Sequence, residues 1–141
     1  MSYLKKDIAQ LLDAPPSSTS FLCRRLGVEP DCSDGTYSYC GAAALVAACE
    51  LRDRGLSFAL SGAAGRALRA EIGELIADPS RESWIMLDHD GDTPAARIAS
   101  SAAELIDHVQ EDDVILKCRP LAERALASIR DAKRVTREAA N

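Results

Sequence analysis

The side chains with the strongest intrinsic chemistry in this 141-residue chain are five cysteines, two histidines and a run of acids. The cysteines are Cys23, Cys32, Cys40, Cys49 and Cys118. Five is odd, so a fully paired disulfide framework is impossible within one chain. No two are spaced as the close pair that zinc sites favour. The pattern predicts free thiols, with a thiol sensor or a metal site as the second reading. Asp88-His89-Asp90-Gly91-Asp92 invites a metal reading. A calcium loop starting at Asp88 needs glycine at its sixth position and glutamate at its twelfth. Thr93 and Ala99 stand there, so an acidic hairpin turn is the better expectation. Catalysis needs a nucleophile, a base and an orienting group brought together. The histidines are His89 and His108, and no such set is recognisable around either. His108, beside Asp107, reads as a surface residue. The sequence therefore predicts no enzyme, no cofactor and no metal.

What remains is the chemistry of hydrogen bonding and charge. Ser17-Ser18-Thr19-Ser20 sets hydroxyls in succession, and Arg24 and Arg25 are the only charged residues between Ala14 and Val28. Lys5 and Lys6 precede them; Tyr37 and Tyr39 follow. The net charge is −5, which argues mildly against nucleic acid, because phosphate binding depends on cations releasing counterions. Local distribution matters more. The acids gather late, at 88–92 and 107–113, which leaves room for a positive face on the first part of the chain.

These residues need elements to position them. A composition of 47% hydrophobic and 28% charged residues is that of a folded chain. Its length suits one domain, or two small ones sharing a core. No apolar run reaches membrane-spanning length, and the N-terminus has no secretory pattern. The expectation is a cytoplasmic protein with no membrane partner. Leu4, Ile8, Leu11 and Leu12 repeat at helical spacing and predict a helix from Tyr3 to Leu12. Pro15-Pro16 interrupts it, and a second helix follows to Leu26, closed by Gly27. Asp34-Gly35 predicts a small hairpin, with Thr36, Tyr37 and Tyr39 extended. A third helix is expected over 41–54, and a fourth, capped by Ser57 or Ser61, to Ile76. Asp78-Pro79-Ser80 marks a module boundary. Beyond it the pattern predicts strands at 84–87, 96–99 and 114–117. A helix from Ser101 to Gln110 and a last helix from Pro120 complete it, with a frayed tail from Lys133. The strands should form a small sheet covered by the last two helices.

Helix, tight turn, helix, hairpin, helix is the order of a winged helix-turn-helix. Asp7 to Leu12 resembles the first helix of MerR-type DNA-binding domains. Ser17 to Gly27 resembles their second helix, Gly35-Thr36-Tyr37-Ser38-Tyr39 their wing, and Leu51 to Ser57 the segment after it. The resemblance covers roughly residues 3–60. It implies that the second helix lies in the major groove, with its N-terminal residues at base edges. Ser17, Ser18, Thr19 and Ser20 would then bond bases or phosphates. Arg24, Arg25, Lys5 and Lys6 would hold phosphates, and Tyr37 and Tyr39 would seat the wing on the backbone.

The fold class read from the sequence is α+β: a winged helix-turn-helix module over 1–78, then a small mixed α/β module (β-β-α-β-α) over 79–141. The function read is transcriptional regulation by sequence-specific binding of double-stranded DNA. Helix 17–26 would read the groove and the wing at 28–39 the backbone, as a homodimer built by the second half. The alternative is a protein-interaction adaptor on the same scaffold, which the acidic balance favours.

Overall fold

The computed structural model describes residues 2–88 and 94–140, the side chains of 133–140 excepted. Among the described residues it is an α+β protein of six helices, one two-stranded sheet and one three-stranded sheet. Helix α1 spans Lys5–Leu11. It starts later than the sequence predicts, because Ser2–Tyr3 is a short strand, β1, and Leu4 is the N-cap. The Asp7 carboxylate accepts the Leu4 N–H at 2.9 Å. Asp13 turns the chain with a φ of 50°. Pro16 then opens α2, Pro16–Leu26, at a first-turn position where a missing N–H costs nothing. Gly27 closes it in the left-handed region, φ 70°.

The hairpin expected over 28–39 takes another form. A turn is present: the Gly35 N–H donates to the Cys32 carbonyl and the Cys32 N–H to that of Thr36, both at 3.1 Å. The strand after it, β2 (Tyr37–Ser38), pairs instead with β1, Ser2 opposite Ser38 and Tyr3 opposite Tyr37. Two features block a ladder on the near side. Pro30 has no N–H to give, and the Asp31 carboxylate takes the Ser38 N–H at 2.8 Å. Tyr39, expected to be extended, begins helix α3 (Tyr39–Asp53), whose N-cap Ser38 accepts the Gly41 N–H at 3.0 Å.

Helix α4 spans Phe58–Ala77, with Ser57 accepting the Leu60 N–H at 3.1 Å. The buried residues of α3 are nearly all small: Gly41, Ala42, Ala43, Ala44, Ala47 and Ala48 among them. Those of α4 include Gly62, Ala63, Ala64 and Gly65. Small side chains let helix axes approach closely, and α3 against α4 is the main helix pair of the fold.

The second half follows the predicted order: β3 (Trp84–Asp88), β4 (Ala95–Ala99), α5 (Ala102–His108), β5 (Val114–Lys117) and α6 (Cys118–Ala140). The sheet is antiparallel throughout, in the order β4-β3-β5. Ile85 lies between Ile98 and Leu116, and Leu87 between Ala96 and Val114. These residues face the core. The cover differs from expectation. Helix α4 packs on β3 and β4, while α6 packs chiefly on α3. Helix α5 ends at His108 rather than Gln110 and has no buried residue of its own, but Arg97 of β4 reaches its His108 carbonyl at 3.2 Å, on the sheet face where Met86 is buried. Helix α6 runs on to Ala140, past the tail expected to fray. One apolar cluster contains Tyr3, Leu45, Leu68, Leu87, Leu121 and Ile129, and so spans the predicted boundary at 78. Of the acidic turn expected at Asp88 to Asp92, Asp88 ends β3 and the rest lies outside the described residues. No described helix is long and apolar enough to cross a membrane.

Candidate nucleic-acid interface

Helix α2 buries Thr19, Cys23 and Leu26, one stripe at helical spacing. Its opposite face is therefore fixed: Ser17, Ser18, Phe21, Arg24 and Arg25 are exposed, and Ser20 is half-buried. The ten predicted contact residues separate accordingly. Ser17, Ser18, Arg24 and Arg25 share the outward face, and Lys5 and Lys6 are exposed on α1, which packs against α2. Lys5, Ser20 and Arg24 line a cleft of about 380 Å³ bounded by α1, α2 and the segment with Glu29, Pro30 and Tyr37. None of Lys5, Lys6, Arg24 and Arg25 forms an ion pair among the described residues.

Thr19 and Tyr37 face inward. Thr19 is buried and its hydroxyl donates to the Pro15 carbonyl at 3.1 Å. That bond ties the first turn of α2 to its own entry. Tyr37 is 1% exposed, and its hydroxyl donates to the Val28 carbonyl at 2.9 Å. Burial raises its ionisation well above the usual phenol value, with the Cys23 thiol beside it adding to the shift. Both residues serve the core, where a nucleic acid cannot reach them. Tyr39 is half-buried in the first turn of α3. The turn that would form the wing is held by carboxylates: Asp34 accepts the Thr36 hydroxyl at 2.6 Å, and Asp31 accepts both polar hydrogens of Ser38.

Phe21, Arg52 and Phe58 lie on this surface but are not among the predicted contacts, although Phe21 and Arg52 fall within segments that carry the resemblance. Phe21 is 53% exposed at the centre of the α2 face. The Arg25 guanidinium lies 4.8 Å from the Phe58 ring centroid, and that of Arg52 lies 5.4 Å from it. Cation–π contact of this kind fixes a guanidinium without neutralising it. Arg52 also pairs with Asp53 at 2.8 Å. A shallow groove of about 420 Å³ joins Arg52 to Ser17, Ser18 and Phe21. Only the fold brings Arg52 and Phe58, about thirty residues later in the chain, beside α2. Arg66 holds the far end of α2, donating to the carbonyls of Leu26 at 2.9 Å and Gly27 at 3.3 Å.

The other chemistries weighed from the sequence gain nothing here. All five thiols are free. Burial pushes Cys49 up to about 12 and Cys118 up to about 11, and raises Cys40, so these three are protonated at neutral pH and poor nucleophiles. Among the described residues no cluster of histidine, cysteine and acids could hold a metal. No protein-family model matches the sequence, and no curated protein matches it in a sequence comparison.

Proposed function

We propose that the chain binds double-stranded DNA through the outward face of α2, as a winged helix-turn-helix transcriptional regulator. One observation carries the reading. The face of α2 sets short hydroxyls at its N-terminal end and, at its C-terminal end, arginines that form no ion pair among the described residues, with Lys5, Lys6 and Arg52 around it. Hydroxyls and a helix N-terminus suit base edges and phosphate. Lys5, Lys6, Arg24 and Arg25, which unlike Arg52 have no carboxylate partner among the described residues, suit the phosphate backbone and would release counterions on binding. Phe21 gives an apolar surface of the kind that meets thymine methyl groups. The short strand pair β1–β2 and the turn over 31–36 take the place of the wing.

The adaptor remains the second reading. Exposed Phe21 and a net charge of −5 favour it. The test is binding of the purified chain to a mixed pool of duplex DNA at low and physiological salt, beside an Arg24→Glu/Arg25→Glu variant. Salt-sensitive binding with an enriched sequence, at least about a hundredfold weaker in the variant, is expected from reversing charge at two phosphate contacts. Absence of binding by the unaltered chain at low salt overturns the proposal in favour of the adaptor.

A further inference from the structure

Strand β5 is one edge of the three-stranded sheet. In an antiparallel ladder the backbone groups of successive residues point alternately toward and away from the neighbouring strand. The Cys118 N–H donates to the Ser83 carbonyl at 3.0 Å, and the register continues with Leu116 opposite Ile85 and Val114 opposite Leu87. That phase turns the N–H and C=O of Val114 and Leu116 toward β3. It turns those of Ile115 and Lys117 outward, to an edge along which no described strand runs. The other edge strand, β4, is contacted by α5. The Ile115 side chain stands on the sheet face opposite Ile85 and Leu87, in register with the buried Met86 and with Arg97, and is itself 45% exposed.

We infer that this edge pairs with the same edge of a second copy, antiparallel, about a two-fold axis through Ile115. Alternation selects the register, because residues on one face must meet residues on the same face. The two Ile115 residues then exchange N–H···O=C bonds, and their exposed side chains cover each other. The Lys117 N–H of each copy meets the Asp113 carbonyl of the other. Its ammonium comes to the turn over 110–113, closed by the Asp113 N–H on the Gln110 carbonyl at 3.1 Å, which exposes Glu111 and Asp112. A lysine on an edge strand usually guards it against pairing. Here the guard is selective: a strand with exposed acids near Lys117 is tolerated, and the turn leading into β5 carries two, Glu111 and Asp112, while the Asp113 carboxylate is already paired with Arg97. The existing Lys117–Glu82 pair is loose, at 3.8 Å, and solvent-exposed. A single strand carrying both halves of the complement specifies an isologous contact between identical chains. So short an edge buries little surface, which places the dissociation constant on the order of 10 µM.

The experiment is sedimentation equilibrium of the full chain without DNA, from about 1 to 500 µM, with amide hydrogen exchange at both ends of that range. A monomer–dimer equilibrium is expected. The Ile115 and Lys117 amides should slow with concentration while those of Val114 and Leu116 stay as they are. Ile115→Lys sets like charges across the axis at an exposed position. It should weaken the dimer at least about tenfold with an unchanged circular dichroism spectrum and melting curve. A monomer at every concentration overturns the inference. So does a dimer whose Ile115 and Lys117 amides stay fast, and that readout needs no variant to fold. A monomer that binds DNA would overturn edge pairing alone, and a dimer that ignores DNA would overturn the DNA reading alone.

Discussion

Tyr37 and Arg25 both read as DNA contacts in the sequence, and the fold separates them. Tyr37 is a core residue whose hydroxyl satisfies the Val28 carbonyl. Removing that hydroxyl leaves a buried acceptor unpaired. Tyr37→Phe should therefore cost about 1 kcal/mol in a denaturant melt and leave the salt dependence of DNA binding unchanged. Arg25→Ala should do the reverse, leaving the melt nearly untouched and reducing the slope of log affinity against log salt by about 1. Asp31 governs the turn between them. Burial by itself would raise its carboxyl. The bonds from the Ser38 hydroxyl and N–H outweigh burial and hold it below the usual value of 3.8. A carboxyl that is lower in the folded chain stabilises the fold above its unfolded value, and the contribution is lost as pH falls through the folded value. Stability should therefore drop below about pH 4, and Asp31→Asn should flatten that acid limb while lowering stability at neutral pH. Denaturant midpoints from pH 7 down to 2.5 would show both. Equal acid limbs in the two proteins would count against Asp31 as the group that titrates.

At the scale of elements, the position of α2 depends on α4. Gly62 of α4 sits against the end of α2, where an added Cβ would collide with the Leu26 carbonyl oxygen and crowd the Arg66 guanidinium. A carbonyl in a helix end cannot yield as a flexible side chain can. Gly62→Ala should push the two helices apart, at a cost of about 1–3 kcal/mol. It should also weaken DNA binding by moving Arg24 and Arg25 relative to Arg52. A Gly62→Ala chain as stable as the original, by thermal melt, would show that the helices can part freely. The helices themselves were legible in the sequence because their signals are local. Pro16 at the start of α2, Gly27 at its end, and the serines capping α4 and α5 are read from neighbours only, whereas Ser38, expected in the wing, caps α3. The strands of the second half were legible from short apolar runs. The partner of β2 was not. Asp34-Gly35 signals a turn, but whether Tyr37 pairs backward or with Tyr3 depends on Asp31 capturing Ser38, a contact between side chain and backbone that periodicity does not encode. The contact face was half legible for the same reason. Charge and hydroxyl runs mark α2, whereas its burial stripe and the arrival of Arg52 and Phe58 are tertiary facts.

For the whole molecule, the question is whether the part that would meet DNA is independent of the part that follows. The composition break at Asp78-Pro79 suggests two modules, yet the packing joins them. Helix α6 lies against α3 and α4 and reaches α1, and α4 is the floor of the sheet. Charge reinforces this. The Glu71 carboxylate, nearly buried on α4, is paired by Arg81 from beyond the boundary. Arg119 of α6 donates to the carbonyls of Asp78 at 2.9 Å and Arg81 at 2.8 Å, so it clamps the connecting segment itself. Cutting the chain after residue 78 would uncover the apolar faces of α3 and α4 and strand Glu71 without its cation, and an unpaired buried charge is strongly destabilising. The full chain should therefore melt in one cooperative step. A fragment of residues 1–78 should retain some helix by circular dichroism but no cooperative transition. Ile129→Ala, far in sequence from α2, should cost about 2–5 kcal/mol in that single transition. A 1–78 fragment that melts cooperatively and binds DNA as the full chain does would mean that the shared core is dispensable and the DNA-reading half stands alone.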